Sequence, residues 1–172
     1  MSNGNAKTAG KRKVALFPAS FDPITNGHLD LIHRSRAIFD EVILAVAKNV
    51  SKSATFTAEE RMNILEAVTA DMDDVSVQVF DGLVVHHAEQ IGASGIIRGL
   101  RAMSDFEYEF EMALMNKHLA PSVEIVFFMT SQEYLYVSSS RLKELVRFGA
   151  SVDEFVPAIV ASELKRKLGK GG

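Results

Sequence analysis

Three polar clusters in this 172-residue chain combine hydroxyls, a histidine and guanidinium groups in patterns suited to binding phosphate. The first is Ser20-Phe21-Asp22-Pro23-Ile24-Thr25-Asn26-Gly27-His28, which links the apolar run Val14-Ala15-Leu16-Phe17 to a helical segment over 29–39. Gly27 permits close approach to the backbone, and the first turn of the helix offers free amides and a positive dipole end to an anion. His28 adds a side-chain donor at the same place. The plain alternative is that Thr25 or Asn26 is an N-cap and His28 a solvated first-turn residue.

The second cluster is Ile97-Arg98-Gly99-Leu100-Arg101, placed directly after a buried strand. Each guanidinium presents a planar fork of donors to a phosphate; the alternative pairs both arginines with the acidic helix that follows. The third is Val137-Ser138-Ser139-Ser140-Arg141, where a serine run opens a helix and is by itself an ordinary N-cap. Lys52, in the loop over 49–55, is an ordinary loop lysine taken alone.

The elements that must position these groups follow from periodicity. Val42-Ile43-Leu44-Ala45-Val46-Ala47, Val75-Ser76-Val77-Gln78-Val79-Phe80, Ile96-Ile97 and Val123-Glu124-Ile125-Val126-Phe127-Phe128 join 14–17 as short β-branched or aromatic runs. Helical segments lie between them at 29–39, 58–70, 83–91 and 105–119, with two more at 140–148 and 157–168. Strictly alternating strands and helices predict an α/β, Rossmann-like, doubly wound sheet of five parallel strands with C-terminal helices. Thr57 and Glu60 form a capping box for the second helix. Phe106 and Phe110 share one face of the fourth, and Tyr108 and Met112 the opposite one, so that helix needs two partners: the sheet, and either a second helix or a neighbouring subunit. In a parallel sheet all four polar elements reach the carboxyl edge, where ligands bind. The result is a basic cleft for a polyphosphate, in a chain whose overall charge is mildly acidic.

Composition narrows the rest. With 19 Lys and Arg against 22 Asp and Glu, the net charge of −3 does not suit a protein that coats nucleic acid or membrane. No cysteine is present, which excludes disulfides, thiolate metal sites and cysteine nucleophiles. The basic, polar segment 1–12 and the glycine-rich 169–172 are expected to be tails around one domain over 13–168, and the absence of a signal-like apolar run leads us to expect a cytoplasmic protein. His33, His86, His87 and His118 lack metal spacing, no P-loop or GxGxxG fingerprint is present, and Ser20, His28 and Asp22 lack a nucleophile elbow. No metal ligand set is expected.

Thr25-Asn26-Gly27-His28 with Ser138-Ser139-Ser140 resembles the paired signatures of the TxGH/HxGH nucleotidyltransferases. The longer stretches Ser20 through His28, Ile97-Arg98-Gly99-Leu100-Arg101 and Asp105-Phe106-Glu107-Tyr108-Glu109 are similar to those of the bacterial phosphopantetheine adenylyltransferase family. The resemblance implies reversible transfer of the adenylyl group of ATP to 4'-phosphopantetheine, giving dephospho-coenzyme A and pyrophosphate. It implies that His28, Lys52 and Arg98 are catalytic, with His28 acting at the α-phosphate, Lys52 holding the reacting phosphates and Arg98 binding the acceptor. ATP is then bound by Ser20, Phe21, His28, Gly99, Leu100, Arg101, Glu109, Tyr134, Leu135, Tyr136, Val137, Ser138, Ser139 and Ser140. The acceptor is bound by Ser20, Lys52, Leu83, Val84, Arg98 and Asn116. Mg²⁺ accompanying ATP, feedback by coenzyme A and a homohexamer built as a dimer of trimers are implied in the same way. Ala19-Ser20 stands where the family commonly has Gly-Thr, and Tyr134 where some members have tryptophan. The rival readings are a related transferase acting on nicotinamide mononucleotide and a nucleotide-binding regulator without turnover.

Overall fold

The computed structural model describes residues 12–48 and 54–169. Lys52 and nearly all of both expected tails lie outside the described residues. Five parallel strands, β1 (Val14–Ala19), β2 (Glu41–Ala47), β3 (Val75–Phe80), β4 (Gly95–Leu100) and β5 (Glu124–Met129), form one sheet in the order β3-β2-β1-β4-β5. Helices α1 (Asn26–Arg36), α2 (Ala58–Val68), α3 (Val84–Gln90) and α4 (Met103–Leu119) connect them. A short 3-10 turn (Gln132–Tyr134) leads to α5 (Ser139–Arg147) and α6 (Ala158–Leu168). The expected doubly wound α/β architecture is therefore the one observed.

Strand alternation sends side chains to both faces, and each face is covered. Ala15, Phe17, Val42, Leu44 and Val46 join one core with Leu31, Ile32, Leu65, Val146 and Leu164. Leu16, Ile43, Ala45 and Ile96 join the other with Val85, Ala88 and Ala120.

The strand order reverses between β1 and β4, and there the sheet opens. β1 pairs with β2 over six residues, from Val14↔Glu41 to Ala19↔Val46. Its ladder with β4 holds only Ala15↔Gly95 and Leu16↔Ile96. Beyond Leu16 the two strands part, leaving a crevice at their carboxyl ends where such folds bind ligands.

Several boundaries differ from the expectation. β4 runs through to Leu100, so Arg98 and Gly99 sit inside the strand instead of after it; they pair with Phe127 and Phe128 of β5. α1 begins at Asn26 because Thr25 caps it, three residues earlier than the apolar pattern alone implies. α5 starts one residue early on the cap of Ser138, and Pro157 is the N-cap of α6. The fourth helix departs most. Phe106 meets Phe127 edge-on at 6.2 Å, yet none of residues 105–119 is buried. α4 lies over the sheet margin at β4 and β5, where the sheet is too narrow to cover it.

Candidate active site

The β1–α1 turn carries the first cluster. Thr25 has extended backbone geometry and its hydroxyl accepts the amide of His28, as an N-cap should. The reciprocal arm of this capping box is His28 itself. Its Nδ1 accepts the backbone N–H of Thr25 at 3.1 Å, and the Thr25 hydroxyl lies 3.0 Å from the same nitrogen. Because an amide can only donate, Nδ1 carries no proton in the neutral ring, and the proton resides on Nε2. The cap expected of the plain reading is therefore present at Thr25, but His28 is not a solvated first-turn residue: the residue that caps the helix also orients its ring. Burial, aided by the positive charge of Arg101, pushes the His28 pKa down to about 4. At neutral pH the ring is therefore an uncharged donor.

Phe21 precedes it with a φ of +46°. A left-handed phenylalanine costs on the order of 1 kcal/mol, and its ring is held in place by Phe17 at 5.6 Å and His28 at 5.3 Å. Gly27 leaves room for Tyr134: a Cβ there would come within 3.1 Å of the tyrosine Cβ. This glycine admits a protein side chain against the start of α1. Asn26 fastens the same turn to the α5–α6 connection through the carbonyl oxygens of Phe155 (2.8 Å) and Glu154 (3.0 Å).

The opposite wall is β4. Arg98 donates from Nε to Glu109 at 2.7 Å and pairs its Nη2 with the other carboxylate oxygen, while Nη1 reaches the carbonyl of Pro18 at 3.3 Å. Arg101 approaches Asp105 at 3.4 Å. Both arginines are paired with the acidic helix, as the plain alternative expected, and both also line the crevice. At Gly99 a Cβ would stand 2.5 Å from Leu31 Cδ1, so any larger residue requires the Leu31 side chain of α1 to move.

These walls enclose a cleft of about 360 Å³ lined by Phe17, Pro18, Ala19, Ser20, Thr25, Gly27, His28, Leu31, Arg98, Gly99, Arg101, Thr130, Tyr134, Val137 and the serine run Ser138, Ser139 and Ser140. The three clusters converge here. Other expected site residues stand elsewhere. Phe21 and Leu100 are buried in the core, and Glu109 is engaged by Arg98. Leu135 and Tyr136 are exposed and do not line this cleft. Leu83 is the exposed N-cap of α3, with Val84 opening that helix beyond β3. Asn116 lies near the end of α4.

Sequence reasoning gave no supporting role to three charged residues within and beneath the turn. Asp22 is 4% exposed; its carboxylate accepts the amides of Thr55 (3.0 Å) and Phe56 (2.8 Å) and the ammonium of Lys143 (2.6 Å). Burial pulls its pKa up, but Lys143 and the two amides outweigh it and hold the carboxyl below its ordinary range. Asp22 therefore does not orient His28. Arg61 is 2% exposed, and it donates to the carbonyls of Ser20, Ala47 and Thr57. The available signal was its place on the buried stripe of α2 with Ile64 and Leu65.

Residues 16–145 match the Cytidylyltransferase-like family model. A phosphopantetheine adenylyltransferase of Caldanaerobacter subterraneus subsp. tengcongensis is 52% identical over 158 residues, 92% of this chain and 99% of the relative. The chain belongs to the phosphopantetheine adenylyltransferase family. As a member it is a nucleotidyltransferase enzyme of coenzyme A biosynthesis. The Desulforudis audaxviator phosphopantetheine adenylyltransferase is 48% identical over 93% of this chain and 98% of its own length. Among solved structures, a candidate nicotinate-nucleotide adenylyltransferase from Vibrio parahaemolyticus superposes with a TM-score of 0.66 at 19% identity, covering 90% of this chain and 99% of that one. That likeness is one of fold. Among the described residues no helix is long and apolar enough to cross a membrane.

Proposed function

We propose that this adenylyltransferase moves the adenylyl group of ATP onto 4'-phosphopantetheine by direct in-line displacement, giving dephospho-coenzyme A and pyrophosphate. The observation that carries the reading is His28: a neutral ring at the mouth of α1, with Nδ1 occupied by Thr25 and Nε2–H left for the cleft. A donor of this kind stabilises charge growing on the α-phosphate and cannot act as a base through the nitrogen that bears its proton. No base is required. The acceptor is a phosphomonoester with a second pKa near 6, already largely dianionic at neutral pH. Its oxygen attacks the α-phosphorus, the α–β anhydride bond breaks, and the electron pair leaves with pyrophosphate. One phosphoanhydride replaces another, which supports a reversible reaction without a covalent enzyme intermediate. The enzyme's contribution is orientation and charge stabilisation.

In this reading Arg98 and Arg101 bind phosphates, Ser20 contacts both substrates, and the serine run with Tyr134 holds the nucleotide. Lys52 adds a cation to the reacting phosphates, and Leu83, Val84 and Asn116 receive the pantetheine arm. Among the described residues no group of three or more His, Asp or Glu side chains converges as a metal site. The donor set in the cleft is one of hydroxyls and cations, which fits Mg²⁺ entering on ATP with phosphate and water oxygens as its ligands. The ion would offset triphosphate charge.

The uncovered apolar side chains of α4, among them Tyr108, Phe110 and Leu114, support burial against other copies and hence the proposed hexamer. Function in the cytoplasm and feedback by coenzyme A, which shares the pantetheine arm, belong to the same reading.

The test is pyrophosphate release from ATP and Mg²⁺ with and without 4'-phosphopantetheine, with His28→Ala as control. Release that depends on the acceptor and collapses in His28→Ala is expected. Release independent of the acceptor would overturn the assignment.

A further inference from the structure

Arg61 is a charged residue on an otherwise apolar buried stripe. It is 2% exposed and shares the buried stripe of α2 with Ile64 and Leu65. Burying a guanidinium is expensive unless it is well paired. Among the described residues no carboxylate pairs with it directly; the charge of Asp22 favours it only from a distance, and its hydrogen-bond partners are backbone carbonyls. Nη1 donates to Ser20 at 2.7 Å, Nη2 to Ala47 at 3.0 Å and Nε to Thr57 at 3.3 Å. These oxygens belong to three elements: the turn after β1, the end of β2 and the cap of α2. The first of them is a residue of the cleft wall.

The neighbouring Asp22 continues the lattice. Two residues beyond Ser20, it holds the amides of Thr55 and Phe56 and pairs at 2.6 Å with Lys143 of α5. Ser139, at the head of that helix and on the far wall of the cleft, donates to the carbonyl of Pro23 at 2.8 Å. The turn is thus tied to β2 and α2 by one buried cation and to α5 by the half-buried Lys143. A planar fork can hold three carbonyls in fixed mutual orientation; a lysine, with one nitrogen, cannot reproduce that geometry.

We propose that Arg61 is a positioning residue of the adenylyl-transfer cleft, fixing the Ser20 turn through three backbone carbonyls, with Lys143 and Asp22 setting the same turn against the serine wall. The inference rests on the adenylyl-transfer reading above. Its effect should appear in turnover more than in nucleotide binding, because small displacements of a reacting geometry are costly to rate.

The experiment begins with acceptor-dependent pyrophosphate release by the parent enzyme; if that is absent, the reading of function fails and not this inference. Arg61→Lys and Arg61→Met are then compared with the parent at temperatures where circular dichroism shows each folded. We expect kcat per folded site to fall about 30- to 100-fold in both, with KM for ATP changed less than about threefold. Arg61→Lys is the decisive arm. Recovery of kcat by lysine would mean that charge, and not the fork, matters, and would overturn the proposal. So would kcat within about twofold of the parent in both variants, the outcome for a residue that only fills the core. If neither variant folds, Lys143→Met is read by the same criteria. An unchanged kcat there, or failure of all three to fold, also overturns it.

Discussion

Nδ1 of His28 accepts the backbone N–H of Thr25 at 3.1 Å, so the residue that caps α1 also selects the tautomer of the histidine in the cleft. Helix capping and the choice of ring tautomer are one local structure. The cap fixes the start of the helix, and the start of the helix fixes which nitrogen carries the proton.

Replacing His28 by alanine removes a preorganised donor, and loss of one such donor costs about 10²–10³ in kcat. The KM for ATP should change far less, since the other polar groups lining the cleft are untouched. Steady-state kinetics with ATP varied separates the two. An unchanged kcat would remove His28 from the mechanism.

The lowered pKa of His28, about 4 in the folded protein against an ordinary value near 6.5, has a definite sign. Between those values the unfolded chain binds a proton that the folded chain does not, so acid favours unfolding. Above pH 6.5 the contribution to stability is fully present; it is lost as pH falls towards 4. Urea midpoints measured from pH 7.5 to 4 should decline, and His28→Ala should flatten the decline across this window. An equal slope in the variant would contradict the assignment.

Gly99→Ala places a methyl group 2.5 Å from Leu31 Cδ1. Overpacking of this kind destabilises by about 1–3 kcal/mol, or about 2–4 °C in melting temperature per kcal/mol for a chain of this size. Thermal unfolding checks it. The double variant Gly99→Ala/Leu31→Ala should recover part of the clash while losing core contacts.

Arg98 engages Glu109 through two nitrogens and Pro18 through a third. Arg98→Lys keeps the charge and loses the fork, so kcat/KM for the phosphate acceptor should fall at least about tenfold. Titration of the acceptor at saturating ATP measures this. Equal values would mean that Arg98 acts only as a point charge.

On α4, Leu114 is 58% exposed and Tyr108 63%. Leu114→Glu with Tyr108→Glu should reduce the mass of the assembly measured by sedimentation equilibrium. A parent protein that sediments as a monomer would refute the hexamer reading.

The outline of the fold was legible because it depends on local rules. Apolar runs such as Val42–Ala47 read as buried strands, the Thr57–Glu60 box marked the start of α2, and alternation of strand and helix implied a parallel sheet whose carboxyl edge gathers Ser20, His28, Arg98 and Ser138. Each of these signals spans a few residues of sequence. The spread of β1 from β4 after Leu16 had no such signal, nor did the extent of β4 through Arg98 and Gly99, since a charged residue and a glycine there look like the end of a strand.

What only the tertiary structure decided is the support beneath the cleft. Asp22 meets Phe56 across 34 residues of sequence, Arg61 meets Ser20 across 41, and Lys143 meets Asp22 across 121. Side chains on a helix or strand interact with neighbours a few positions away, and sequence patterns record those contacts. A buried ion lattice instead depends on which distant backbone groups the packed sheet and helices bring within about 3 Å. The sequence by itself determined the elements, the family and which polar residues would gather at the carboxyl edge; the fold alone determined how they are held.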